Sequence, residues 1–116
     1  MNTRFLFQGL SVDNRTEDYI RKRLQRIDKL VDTASHYEVE VDKNKQGKFR
    51  VEIMVHTPQA LYRAEETTVS IEGSTDIVID ELELQITKKK DRLRALRLRG
   101  LRSIKKKLVL DFAARF

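Results

Sequence analysis

HYEVEVDKNKQGKFRVEIMVH, residues 36–56, decides the fold. In its first third Tyr37, Val39 and Val41 point one way and His36, Glu38, Glu40 and Asp42 the other, the period-two alternation of a strand with one buried face. In its last third Phe49, Val51, Ile53 and Val55 alternate with Lys48, Arg50, Glu52 and Met54. The KNKQG between them is polar and carries Gly47, the residue type that a tight reversal uses. The spacing predicts a β-hairpin with strands over 36–42 and 48–56.

Working outward, residues 3–8 read as a strand ended by Gly9, and the polar SVDN that follows offers Asp13 as a helix N-cap. Over 15–31, Ile20, Leu24, Ile27 and Val31 recur at helical spacing, while Arg15, Lys22, Arg26 and Lys29 project opposite them, with Arg21 and Arg23 on the flanks. On the other side of the hairpin, Thr57, Pro58 and Gln59 make a turn into a fourth strand, 61–71, whose poor alternation leaves its register open. Ser74, Thr75 and Asp76 then open a second helix with Val78, Ile79, Leu82, Ile86 and Leu93 on its inner face. Leu96, Leu98, Leu101, Ile104, Leu108, Phe112 and Phe116 prolong the rhythm. Gly100 costs about 1 kcal/mol against Ala in a helix interior, so a break is expected there.

The order βαβββα predicts an α+β fold: a four-stranded mixed sheet with two helices packed on one face. Its first helix makes a crossover to a parallel neighbour, and the later strands form an antiparallel meander. Residues 1–95 constitute the expected domain and 96–116 a basic amphipathic C-terminal extension. The helical side should then be basic and the outer sheet face, with Glu38, Glu40 and Asp42, acidic.

The charge is unevenly spread. Residues 1–87 hold 12 Lys and Arg against 16 Asp and Glu, whereas residues 88–116 hold 12 against 2. The run KKKDRLRALRLRG, residues 88–100, opens that segment. A cluster of this kind suits a polyanion, because neutralising several phosphates together releases their counterions. Of the five Phe and three Tyr, Phe5, Phe7, Tyr37 and Phe49 are assigned to strand cores, which leaves few aromatics for stacking on single-stranded bases. Contacts to phosphates and to the shape of folded RNA are expected instead.

Other chemistry finds little support in the residues. The chain has no cysteine, which excludes disulfides, thiolate metal sites and a cysteine nucleophile and fits the cytoplasm. His36 and His56 read as surface strand residues, so no metal site is expected, and no cofactor or small-molecule substrate either. Glu38 and Glu40 share a strand face as exposed acids commonly do, and the four glycines are isolated, without a phosphate-cradling loop. The chain is therefore expected not to be an enzyme. No apolar run approaches the ~20 residues of a membrane span, and MNTRFLFQG lacks the apolar core of a signal peptide.

The element order, Gly9, the segments VDNRTEDYIRKRLQRIDKL, QGKFRVEIMVHTP and STDIVIDELELQITKKKDRL, and the ungapped run from Thr57 and Pro58 through Asp80, Leu82, Glu83, Gln85 and Lys88 resemble the ribosome hibernation-promoting factors, also called ribosome-associated inhibitors. The likeness covers about residues 3–95. It implies a fold similar to double-stranded-RNA-binding domains, seated in the messenger- and transfer-RNA channel of the small ribosomal subunit, where it stops translation and protects idle ribosomes. It also implies that basic side chains of both helices meet ribosomal RNA: Arg23, Arg26 and Lys29, with Lys22 beside them, and Lys88, Lys89, Lys90, Arg92 and Arg94. Two places depart from the family pattern. Glu81 and Leu84 stand where basic residues are usual, and Ser70, Ile71 and Glu72 replace an acidic-aromatic motif. The length matches a short form without a dimerisation domain, a monomer when free. Two other classes share the charge pattern: a general structured-RNA-binding or RNA-chaperone module, and a protein- or membrane-interaction module using LRSIKKKLVLDFAARF.

Overall fold

The structure, a computed structural model, describes residues 1–33 and 35–115, with side chains through residue 99. The elements are β1 (Asn2–Gln8), α1 (Asn14–Asp28), β2 (His36–Lys43), β3 (Phe49–His56), β4 (Leu61–Thr68) and α2 (Ile71–Arg115). The sheet order is β1-β2-β3-β4, with β1 parallel to β2 and the other two pairs antiparallel. This is the expected α+β mixed sheet. The chain divides into two compact units, Met1–Ile86 and Thr87–Phe116.

The hairpin that decides the fold closes as its alternation requires. Val39 pairs with Ile53 and Val41 with Val51, so apolar residues meet on one face. The turn is organised by Asn44, whose Oδ1 accepts from the backbone N–H of Gln46 and of Lys48, both at 2.9 Å. Gly47 supplies the left-handed conformation there, with φ +78°. Tyr37, Val39, Val41, Val51, Ile53, Val55 and Ala64 are buried against Ile20, Leu24 and Ile27 of α1 and Val78, Ile79, Leu82 and Ile86 of α2. Both helices therefore cover the same sheet face.

Apart from one-residue shifts at the ends of elements, four features differ from those expected. First, α1 ends at Asp28: Lys29 N–H still reaches Gln25 O, but Leu30 N–H closes a tighter turn on Ile27 O at 2.8 Å. Val31 nonetheless packs on the core from outside the helix. Second, β4 ends at Thr68, and α2 begins at Ile71 rather than near Ser74. The start is set by Ser70, whose Oγ accepts from Gly73 N–H at 2.9 Å. Ser74 and Thr75, read as openers, are instead fully buried within the helix: Ser74 Oγ donates to Phe49 O and Thr75 Oγ1 to Ile71 O. Third, Leu93 is 47% exposed, so helical spacing continues past Ile86, the last residue of the helix that the core takes up. Fourth, α2 runs through Gly100 to Arg115 without the expected break. A single glycine keeps its N–H in the ladder, and its cost is spread over a long helix of good helix formers. The side chains of residues 100–116, including the expected amphipathic face, lie outside those described.

The fourth strand's register explains its weak pattern. Ala64 sits opposite Ile53, so Tyr62, Ala64, Glu66 and Thr68 share the inner face and only Ala64 among them is fully buried. Two of the four are polar, which is why alternation could not be read there.

Candidate nucleic-acid interface

The basic side of α1 is built by one N-cap and one apolar stripe. Asp13 Oδ1 accepts from Thr16 N–H and from Thr16 Oγ1, both at 2.9 Å, and these bonds hold its carboxyl below the usual range. With that start fixed, burying Ile20, Leu24 and Ile27 turns Lys22, Arg26 and Lys29 away from the core. Tyr19, Lys22, Arg23, Gln25, Arg26 and Lys29 line a shallow depression of about 400 Å³. All four expected RNA-contacting residues of the first helix are thus brought together.

They are not equivalent. Arg26 is clamped by α2: its Nε and Nη2 reach the two carboxylate oxygens of Glu83 at 2.9 and 2.7 Å, and Nη2 also reaches Asp80 at 3.2 Å. The Glu83 hydrogen bond is the main cause that raises the Arg26 guanidinium above its ordinary value. Arg23 stacks over the Tyr19 ring at 5.0 Å, donates to Tyr19 Oη at 3.1 Å and pairs with Asp76 at 3.2 Å. Tyr19 Oη in turn donates to Asp76 at 2.7 Å, and burial followed by that bond raises the phenol. Lys22 and Lys29 are exposed and make no ion pair among the described residues. The residues that sequence reasoning missed are the acids. Asp76, Asp80 and Glu83 recur at i, i+4 and i+7, a stripe visible in the sequence and matched by Arg23 and Arg26 three residues apart.

The second set, Lys88, Lys89, Lys90, Arg92 and Arg94, lies in the unit Thr87–Phe116, and all five are exposed. Within that helical segment Lys88 and Arg92, and Lys90 and Arg94, are spaced four residues apart and lie one above the other.

The outer sheet face is not the plain acidic surface expected. Arg50 pairs with Asp42 at 3.0 Å, Glu52 at 2.6 Å and Glu65 at 2.7 Å, and Arg63 reaches Glu52 at 2.7 Å. Glu52, only 7% exposed, is paired both with Arg50, two residues earlier on β3, and with Arg63 of β4. The acids that the alternation sends outward are largely consumed by two arginines it sends to the same face.

A family described as Sigma 54 modulation protein / S30EA ribosomal protein matches residues 4–94. The chain is 27% identical over 97 residues to the ribosome hibernation promotion factor of Deinococcus radiodurans; the match covers 80% of this chain and 51% of that protein, so the chain spans about half its length. Among solved structures it superposes on the N-terminal domain of Thermus thermophilus Protein Y with a TM-score of 0.70 at 29% identity, covering 76% of this chain and 98% of that one. It also matches a ribosomal subunit interface protein from Coxiella burnetii in fold, with a TM-score of 0.68 at 21% identity, covering 78% and 99%.

Proposed function

The chain belongs to the Sigma 54 modulation protein / S30EA ribosomal protein family, and from that premise we propose that it is a ribosome hibernation factor that binds ribosomal RNA in the messenger- and transfer-RNA channel of the small subunit. It inhibits translation there and protects idle ribosomes in the cytoplasm. Residues 1–95 carry the binding, and the extension 96–116 adds RNA or ribosomal-protein contacts. The observation that supports this most is the division of labour on α1. Arg23 and Arg26 are held by Asp76, Asp80 and Glu83, while Lys22 and Lys29 stand out for phosphates. Lys88, Lys89, Lys90, Arg92 and Arg94 supply the second basic set. A rigid seam of ion pairs fixes the helix that carries the reaching lysines, so binding costs little side-chain ordering beyond the lysines themselves.

The test is a cell-free translation assay with co-sedimentation on small subunits across a salt series. The quadruple variant K22E/K29E/K88E/R92E, which leaves the Arg26 clamp intact, is expected to stay folded, to lose inhibition and to lose co-sedimentation. Undiminished inhibition by that folded variant would sink the proposed surface. The unaltered chain should prefer small subunits to an unrelated folded RNA of equal length. Equal affinity for both would favour a general RNA-binding module, since polyanion attraction alone does not discriminate.

A further inference from the structure

The β2–β3 register places His36 directly opposite His56, and Glu38 lies two residues along β2 on the same outward face. The two imidazole rings are stacked, with centroids 4.4 Å apart and planes inclined by 3°. Glu38 Oε2 stands 3.5 Å from His56 Nε2, an atom shut off from solvent that makes no hydrogen bond among the described residues. One donor atom from each of His36, Glu38 and His56 lies within 4.8 Å of the others. From these observations we propose that His36, Glu38 and His56 form a zinc site on the outward sheet face, with two imidazoles, one carboxylate and a fourth position open to water.

The donor chemistry and the distances argue for it. Zinc takes imidazole nitrogen and carboxylate oxygen at about 2.0–2.2 Å in a tetrahedron, which sets neighbouring donors about 3.3–3.5 Å apart. The Glu38–His56 separation already has that length. His36 is exposed, so its ring has room on the solvent side to turn out of the stack on His56 and close the remaining distance. Two imidazoles held face to face on adjacent strands, one with a ring nitrogen that makes no hydrogen bond among the described residues, suit imidazole-preferring divalent ions. The neighbours at the same level are Asn2 beside His36, Arg4 beside Glu38, Met54 across from Glu38 and Leu61 beside His56. Arg4 is the cation that competes for the Glu38 carboxylate. A bound ion ties β2 to β3 at the end of the hairpin opposite its turn, so it stabilises the folded chain over the unfolded one. The site is independent of the ribosome-binding reading.

The experiment uses the full chain without an affinity tag, freed of metal by a chelator. Zinc is titrated by calorimetry, cobalt by visible absorption, and the thermal midpoint is followed by circular dichroism. One zinc per chain, the intense visible bands of four-coordinate cobalt, and a midpoint that rises with zinc are expected. H36A, H56A and E38A should each weaken binding at least tenfold and abolish the rise. H36A, at an exposed position, carries the test even where H56A perturbs the strand. Absence of zinc uptake by the unaltered chain, or unchanged affinity in folded H36A, overturns the proposal.

Discussion

Tyr37 shows how one side chain couples core and helix. It is 1% exposed, and its Oη donates to Asp28 Oδ1 at 2.6 Å, joining β2 to the last residue of α1. Burial first, and then the Asp28 bond, raise the phenol above its ordinary value. A proton held more tightly in the folded chain contributes stability in full below the unfolded value of about 10, and that contribution is lost as pH rises toward the folded value. Urea unfolding between neutral and strongly alkaline pH should therefore show stability falling above about pH 10, by about 1.4 kcal/mol per pH unit for this group. Tyr37→Phe should flatten the fall at a cost of about 1 kcal/mol at neutral pH; an unchanged slope would show that other groups carry it. The clamp on Arg26 makes a second residue-scale prediction. Glu83→Gln removes a negative charge beside the lysines and should strengthen binding to folded RNA, whereas Lys29→Gln should weaken it and lower the salt slope by about 0.9, as expected for one phosphate contact. Fluorescence anisotropy across a salt series reads both. The alternation of residues 36–42 revealed the inward orientation of Tyr37, but Asp28 is nine residues upstream on another element, and nothing local announces that bond.

At the scale of elements, the start of α2 depends on a close approach. A Cβ at Gly73 would lie 2.8 Å from Ser70 Oγ and 3.1 Å from Thr68 Oγ1. Ser70 Oγ is the acceptor that caps the helix and Thr68 Oγ1 bonds Ser74 Oγ, so neither can move without giving up a hydrogen bond. Gly→Ala in a helix ordinarily stabilises by roughly 0.5–1 kcal/mol; Gly73→Ala should instead destabilise. Ser70→Ala should cost about 1 kcal/mol, and the double variant should cost less than the two single effects added, because the clash and the cap share one oxygen. Additive costs in chemical denaturation would refute that coupling. In the middle of the helix, Leu82 is fully buried, and Leu82→Ala should cost about 2–5 kcal/mol. Ser74, Thr75 and Asp76 looked like a helix start because their side chains suit caps. Ser70 has the same chemistry four residues earlier, and the choice between them depended on where β4 stops pairing with β3 at Thr68 opposite Phe49.

For the whole molecule, every fully buried apolar residue among those described lies between Ile20 and Ile86. A chain shortened after Arg94 should therefore melt within a degree or two of the full chain in circular dichroism while losing part of its polyanion affinity and salt slope; a large fall in the midpoint would mean that the remaining residues hold core contacts. The sequence by itself determined the order of elements, the hairpin, the apolar residues of both helices within residues 1–86, and the concentration of charge after residue 87. Those are readable because period 2 and period 3.6 are local properties, set by which side chains must leave water. Only the tertiary structure decided which cations remain free. Arg26 and Lys29 are alike in the sequence, three residues apart at the end of one helical stripe, yet Arg26 is held by Glu83 and Asp80, 57 and 54 residues away, whereas Lys29, the C-cap of α1, is not. The same holds for His36 and His56, which are 20 positions apart until the register sets them ring on ring. Periodicity states which face a side chain takes; what it meets there is fixed by how separate elements are packed together, and charge pairing follows distance in space.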